Sequence, residues 1–160
     1  ETGNSFGMEF SSTRSITIRR IEAGILGNLT DIDITMTPFA AGLGKLVDLD
    51  KNHFVGQKAL MDADKRTLLF GFTCSDRTPS SGNIILEDNA PVGSITAGVD
   101  SPTLNIGIGY VRFKRGGDWV GKNLKIEFLD GYRSSGEVVE LPFFDREKLL
   151  IRGKGTKLDM

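Results

Sequence analysis

Glycine is the residue type that most restricts how this chain can fold, because it occupies 20 of the 160 positions. It weakens helices and is readily used in the tight turns that join strands. Glycine and proline together stay below the roughly 25–30% that marks low-complexity chains. Since 39% of the residues are hydrophobic, the chain can also build a core. We therefore expect a folded, β-rich protein with many tight turns.

The overall composition excludes several classes of function. Lysine and arginine (20) nearly balance aspartate and glutamate (21), whereas a protein that binds a phosphate backbone normally carries a basic excess. No apolar run approaches the roughly 20 residues of a membrane-spanning helix. With one cysteine (Cys74) and one histidine (His53), the chain cannot form an intrachain disulfide or a zinc site of Cys and His ligands. We expect no nucleic-acid, membrane or metal partner, a buried Cys74, and a structural or exposed His53.

The pattern of residues changes at about residue 66. Residues 15–26 place isoleucines at steps of three and four, which predicts a short helix, although the β-branched residues 16–18 leave a strand possible there. Residues 56–65 contain good helix formers and predict a second short helix. We interpret this first part as a partial α/β segment.

After residue 66 the pattern predicts strands and hairpins. Residues 83–86 and 92–97 flank a polar turn, and residues 124–128 alternate as in a half-buried strand before Asp130 and Gly131. Glycines in residues 106–113 indicate a bulge or a close approach. The remaining predicted strands cover residues 68–73 and 136–141. The expected fold is mainly β with short helices (α+β): a small, closed antiparallel barrel of the Greek-key or jelly-roll type.

Residues 19–24 (RRIEAG) contain the first candidate site residue, Glu22. This carboxylate can form an ordinary surface ion pair, or it can lie in a pocket and accept hydrogen bonds from two adjacent N–H groups of a ligand. The residue pattern leaves both interpretations open. Residues 101–103 (SPT) favour a capped loop shaped by proline. Residues 107–109 (GIG) lack the further glycine and the helix of a dinucleotide-binding motif.

Several segments, taken in order, resemble the second half of the glycine-cleavage T-protein family. That family comprises folate-dependent aminomethyltransferases and related demethylating enzymes. The similar segments are residues 20–24 (RIEAG), 31–33 (DID), 37–44 (TPFAAGLG), 54–56 (FVG), 91–98 (PVGSITAG), 101–103 (SPT), 108–111 (IGYV) and 141–145 (LPFFD). The resemblance runs from about residue 14 to residue 153.

The resemblance implies a cofactor and two site residues. Members of the family move a one-carbon unit from an amine, sulphonium or ether donor to tetrahydrofolate. Glu22 is expected to bind the N–H edge of the pterin ring, and Arg20 is expected to orient it or pair nearby. Residues 1–66 would be the end of the folate-binding domain, residues 67–145 a C-terminal β-barrel that closes one side of the folate channel, and residues 146–160 a polar tail.

The resemblance also implies that this chain, which begins at Glu1, is a portion of a longer enzyme. The family's catalytic acid and much of its folate pocket lie in an N-terminal half, so we expect no catalytic residue here and no activity without that half. The partners would then be the N-terminal half and a small methyl or aminomethyl donor, in the cytoplasm or, in a eukaryote, the mitochondrial matrix. Residues 27–30 (GNLT) and 79–82 (PSSG) lack the family's usual tyrosine and arginine, which favours a divergent member. The alternatives are a non-catalytic folate-binding or interaction module, and a barrel that serves only as scaffold.

Overall fold

A computed structural model of the chain describes residues 3–150 and 152–154. Its main unit is a closed barrel of six antiparallel strands, in the order β1-β4-β3-β2-β5-β6, with β6 pairing again with β1. The strands are β1 (Leu69–Cys74), β2 (Ile84–Glu87), β3 (Ala90–Ser101), β4 (Ile106–Phe113), β5 (Asn123–Glu127) and β6 (Arg133–Val139). The predicted barrel, mainly β with short helices, is confirmed.

The connections have the Greek-key pattern. Strands β2, β3 and β4 follow one another as antiparallel neighbours, and β1 pairs with β4 rather than with β2. The turn between β2 and β3 consists of Asp88 and Asn89, which both have positive φ angles, 50° and 65°. Such two-residue turns match the twist of a hairpin, and Asp and Asn tolerate this conformation better than most residues. The hairpin predicted at this polar turn is therefore present.

The interior of the barrel is filled by one face of every strand. Alternate residues of a strand point to opposite faces, and the inward set forms one cluster of buried side chains with Cys74 among them. Phe113 stacks on Trp119 with ring centroids 4.1 Å apart. The expectation that Cys74 is a buried core residue is confirmed. His53 is exposed.

Part of the outer face of the barrel is covered by the residues that precede it. This pre-barrel segment (residues 3–66) contains helices α1 (Thr13–Glu22) and α2 (Gln57–Asp62), two 3-10 turns and one isolated bridge between Asn28 and Ile32. Ile21 of α1 packs with the outward-facing Leu69, Ile108 and Tyr110 in a second buried cluster. The barrel and the pre-barrel segment therefore share a core.

Both helices are shorter than predicted. Residues 16–18, for which a strand was also possible, lie within α1, which ends at Glu22 instead of continuing to residue 26. Gly24 follows with a φ of 68°, a left-handed conformation that stops a helix. Helix α2 ends at Asp62 because Ala63 is extended, with a ψ of 151°.

Three glycines of β3 and β4 allow another segment of backbone to cross them. A Cβ atom on Gly98 would lie 2.1 Å from the carbonyl oxygen of Pro79, and one on Gly107 would lie 2.9 Å from the Cα of Thr78. Gly109, the register partner of Gly98, also faces Pro79, at 3.2 Å. The close approach predicted for residues 106–113 is therefore the crossing of Thr78 and Pro79.

The barrel is followed by residues 140–150 and 152–154, which contain no further helix or strand. The predicted polar tail, residues 146–160, lies partly outside the described residues. Within the described ranges, neither helix is long and apolar enough to cross a bilayer.

Candidate functional site

Glu22 occupies the end of α1, where the helix meets the barrel. Its side chain is only 2% exposed, and a buried carboxylate is unfavourable unless its oxygens are paired. Ser101 Oγ donates a hydrogen bond of 2.5 Å to Oε1, and Arg19 donates one of 2.9 Å to Oε2. Glu22 is therefore not an ordinary surface residue. It belongs to a polar cluster between α1 and the end of β3.

The Glu22 carboxylate retains capacity to accept hydrogen bonds. An ionised carboxylate offers about four lone-pair positions, and each oxygen accepts one hydrogen bond from the described residues. One position therefore remains on each oxygen. Two adjacent N–H donors of a ligand could each bond to one of these two positions.

Ser101 reaches Glu22 because β3 is longer than predicted. The strand continues past residue 97 and places Ser101 at its end, fully buried. Ser101 Oγ also accepts a hydrogen bond of 3.1 Å from the backbone N–H of Leu104, as expected for a capped loop. Thr103 Oγ1 accepts a bond of 2.8 Å from Arg19. The predicted capped loop is present, and it also contacts both sides of the Glu22 cluster.

A groove of about 460 Å³ runs past Glu22, between the end of α1 and residues 142–150. The backbone N–H of Phe144 donates to the carbonyl of Glu22 at 3.0 Å, which fixes this wall against the helix. Ile25, Phe144 and Leu150 make the lining largely apolar. The charged residues of the lining are Arg19, Glu22, Asp145 and Lys148. An apolar groove with a few converging polar groups is typical of a small-molecule site.

Arg20, the second predicted site residue, does not contact the Glu22 carboxylate. It donates 2.8 Å hydrogen bonds to Asp31 Oδ2 and to the carbonyl of Ile25. Residues two positions apart on a helix do not share a face, whereas residues three apart do. Arg19 is therefore the arginine that pairs with Glu22, and Arg20 holds residues 25–31 against the end of α1.

Asp31 is the centre of a second buried polar cluster. Its side chain is fully buried and accepts hydrogen bonds of 2.7 Å from the backbone N–H of Gly27 and 2.7 Å from Thr96 Oγ1, besides the bond from Arg20. Thr96 is available for this contact because it is the extra residue of a β-bulge. The register pairs Ile95 with Val111 and Ala97 with Tyr110, which leaves Thr96 unpaired.

Tyr110 fixes the end of α1 from the barrel side. Its hydroxyl lies 3.2 Å from the carbonyl oxygen of Ile21 and 3.1 Å from that of Ile25, so its single proton is shared between these two acceptors near the helix end. Burial raises the pKa of Tyr110 far above its ordinary value, so the hydroxyl remains a donor. The Tyr110 ring also stacks on Phe143, which extends the contact to the wall of the groove.

Sequence reasoning did not identify four residues of these two clusters as site residues: Arg19, Asp31, Thr96 and Ser101. Arg19 had a usable signal, its spacing of three residues from Glu22. Ser101 and Asp31 lay in the segments that resemble a known family, but nothing local in the sequence indicates their contacts with residues 79 and 65 positions away. Within residues 3–150 and 152–154, no three His, Cys, Asp or Glu side chains form a group that could hold a metal ion.

Comparison with known proteins identifies similar chains. Residues 68–145 match the family described as the glycine cleavage T-protein C-terminal barrel domain. The chain is 34% identical to an aminomethyltransferase of Halothermothrix orenii over 149 residues, covering 89% of this chain and 41% of that protein. It is also 34% identical to an aminomethyltransferase of Streptomyces coelicolor over 142 residues, covering 81% of this chain and 37% of that protein.

A solved structure has the same fold. The crystal structure of glycine cleavage system aminomethyltransferase T from Bartonella henselae matches with a TM-score of 0.74 at 24% identity. The match covers 86% of this chain and 40% of that one. The chain therefore spans about 40% of the length of the relatives it matches.

Proposed function

Because residues 68–145 are a glycine cleavage T-protein C-terminal barrel domain and the chain is homologous to aminomethyltransferases, we propose that it is the C-terminal portion of a tetrahydrofolate-dependent enzyme. That enzyme is an aminomethyltransferase or a related demethylase. It moves a one-carbon unit from a small amine, sulphonium or ether donor to tetrahydrofolate. The protein acts in the cytoplasm, or in the mitochondrial matrix of a eukaryote.

The observation that carries this proposal is the Glu22 carboxylate beside the apolar groove. The pterin ring of tetrahydrofolate presents neighbouring N–H donors on one edge, and a carboxylate can accept both. Glu22 has one unused acceptor position on each oxygen, and the groove supplies apolar surface for a flat ring. Arg20 supports the site indirectly, since it holds residues 25–31 beside Glu22.

Chemistry is assigned to the part of the enzyme that lies outside this chain. The relatives are more than twice as long as the matched region, and the pre-barrel segment exposes large apolar side chains, Phe10, Ile34 and Val55 among them. An adjoining folded part would cover apolar side chains exposed in this way. We therefore expect weak tetrahydrofolate binding by this chain and no transfer of the one-carbon unit until the N-terminal half is added.

Binding can be tested by an NMR titration of the isotope-labelled chain with (6S)-5-formyltetrahydrofolate, an air-stable tetrahydrofolate. We expect amide shifts around residues 19–25, 101–104 and 142–145. Glu22→Gln should weaken binding about tenfold, because the carboxamide replaces one acceptor oxygen by an N–H donor and carries no charge, and hydrogen bonds to a charged group contribute about 1.5–3 kcal/mol. Glu137→Gln, at an exposed position of β6, is the matched control and should leave the dissociation constant unchanged. Equal binding by both variants would remove Glu22 from the site.

Complementation separates the enzyme from the alternative, a non-catalytic folate-binding module. The N-terminal part of the Halothermothrix orenii aminomethyltransferase is mixed with this chain, and the formation of methylenetetrahydrofolate or methyltetrahydrofolate is followed with amine, sulphonium and ether donors. Transfer that needs both pieces supports the proposal. Folate binding without transfer for any donor supports the non-catalytic module.

A further inference from the structure

We propose that Ser101 of the barrel is a positioning residue for the tetrahydrofolate site, because it holds the Glu22 carboxylate in the orientation that accepts the ligand. This inference rests on the proposed function. It also gives the barrel a part in ligand recognition. A barrel that serves only as scaffold would have no such part.

The first step of the argument is the direction of the Ser101 hydroxyl. Serine has one proton to donate and two lone pairs that accept. The backbone N–H of Leu104 donates to Ser101 Oγ at 3.1 Å, so the oxygen is held from the loop side. Its single proton is then donated to Glu22 Oε1 at 2.5 Å, a short, charge-assisted hydrogen bond. Since Ser101 is fully buried, water does not compete for that proton.

The second step is that the same loop also holds the other carboxylate oxygen. Arg19 donates from one nitrogen to Glu22 Oε2 at 2.9 Å and to Thr103 Oγ1 at 2.8 Å. Arg19 is 56% exposed, so its ion pair alone contributes little. Thr103 restrains the guanidinium and makes the pairing geometry more definite. Ser101 directly, and Thr103 through Arg19, therefore fix the plane of the carboxylate.

The third step is a comparison with the other hydroxyl-to-carboxylate contact of the same strand. Thr96 Oγ1 donates to Asp31 Oδ1 at 2.7 Å, but Asp31 accepts three hydrogen bonds and does not line the groove. Glu22 accepts two and does line it. Both hydrogen bonds join β3 to the pre-barrel segment. Only the bond from Ser101 is made to a carboxylate, that of Glu22, which lines the groove and has unused acceptor positions for a ligand. Thr96→Val is therefore a matched structural control.

The experiment compares Ser101→Ala and Thr96→Val in the full chain by thermal unfolding and by NMR titration with (6S)-5-formyltetrahydrofolate. We expect both variants to lower the melting temperature. Ser101→Ala should raise the dissociation constant about tenfold, the effect of losing a hydrogen bond to a charged group, and Thr96→Val should change it less than about twofold. An unchanged dissociation constant for Ser101→Ala overturns the inference.

A second probe distinguishes positioning from general loss of structure. The 2-desamino analogue of the same ligand lacks one of the two N–H donors, so the parent chain should prefer the amino form by about tenfold. Ser101→Ala should reduce this preference to less than about threefold, because the misplaced carboxylate no longer accepts both donors. Equal weakening of both ligands, with the preference kept, would mean that Ser101 is only structural.

Two outcomes keep this test separate from that of the proposed function. If the parent chain binds neither probe, the proposed function fails, and with it the positioning role. If Ser101→Ala does not fold, Thr103→Val takes its place, since Thr103 is only partly buried and its loss frees Arg19. That variant should lower the preference for the amino form about threefold, and an unchanged preference overturns the inference.

Discussion

The neighbouring residues Arg19 and Arg20 of α1 bond to different partners, and these bonds determine the geometry of the site. Arg19 turns towards the Glu22 carboxylate and Thr103, whereas Arg20 turns towards Asp31. In each arginine a single nitrogen, Nη1, donates to both acceptors. Single residues at the end of α1 therefore determine both the acceptor geometry and the position of the segment that follows.

Asp33 makes a pH-dependent contribution to the stability of the fold. Thr35 and then Arg112 donate hydrogen bonds to this carboxylate and lower its pKa to about 2. A folded-state pKa below the ordinary value of 3.8 means that Asp33 stabilises the fold above about pH 4 and that this contribution is lost as the pH falls towards 2. Between pH 4 and pH 2 the melting temperature of the parent chain should therefore fall more than that of Asp33→Asn.

Thermal melts at several pH values check this expectation. The pKa of Asp64 is also lowered to about 2, because Arg66 donates to it, so part of the acid sensitivity is common to both proteins. Asp64→Asn is the comparison, because it removes only the part of the acid sensitivity that comes from Asp64. Parallel curves for the parent chain and Asp33→Asn would show that the ionised Asp33, with its bonds from Thr35 and Arg112, contributes no stability in this pH range.

At this scale the sequence offered Glu22 as a candidate, and the residues that bond to it were not predicted. The RIEAG motif pointed to this carboxylate, whose role in folate binding stays a prediction, and the single cysteine was correctly placed in the core. The spacing of three residues along the helix favoured Arg19 over Arg20 as the partner of Glu22. Ser101 does not follow from local spacing, because its contact with Glu22 spans 79 residues and is a consequence of tertiary packing.

Strand β3 is the element that connects the barrel to the site. It runs from the Asp88–Asn89 turn through the bulge at Thr96 to Ser101, and so brings two hydroxyls to two buried carboxylates. The hairpin that begins it was predictable from turn residues and alternation. Its full length was not, because Gly98 and the polar residues that follow have the composition of a loop.

The crossing of Thr78 and Pro79 over β3 gives a prediction at the element scale. Gly98→Ala would place a Cβ 2.1 Å from the Pro79 carbonyl oxygen, and backbone on both sides cannot move aside cheaply. We expect the free energy of unfolding to fall by about 2–3 kcal/mol, as for other overpacked sites. Urea unfolding followed by Trp119 fluorescence measures this change.

Gly117→Ala is the control for this substitution. Gly117 lies in a loop, and an added Cβ would come no closer than 3.3 Å, to the ring of Trp119. Its cost should stay below about 1 kcal/mol. A similar cost for both variants would show that the loss reflects glycine replacement in general and not the crossing.

At the scale of the whole molecule, exposed apolar side chains are concentrated outside the barrel. In the described residues, Phe10, Ile34 and Val55 of the pre-barrel segment are almost completely exposed. The shared core at Ile21 and Tyr110 joins helix α1 of this segment to the barrel. The sequence predicted the barrel from its periodicity but gave no sign of this surface, since apolar residues look alike whether they are covered or not.

These side chains should make the chain associate at high concentration. Replacing Phe10, Ile34 and Val55 by serine should reduce the weight-average mass in sedimentation equilibrium and the fluorescence of a bound hydrophobic dye. The melting temperature should change little, because side chains exposed in the folded state contribute little to folding. The same substitutions at the exposed Leu129 and Val120 of the barrel serve as the comparison. If the substitutions at Leu129 and Val120 lowered the mass and the dye fluorescence equally, association would not be specific to the pre-barrel segment.

The closed order of the strands limits how such association can proceed. Each of the six strands has a hydrogen-bonded neighbour on both sides, so the barrel has no edge strand of the kind that an open sheet offers to another chain. A second copy of this chain therefore finds no edge strand on which to extend the sheet. We therefore expect association to proceed through side chains and to leave the β-structure content of the barrel unchanged.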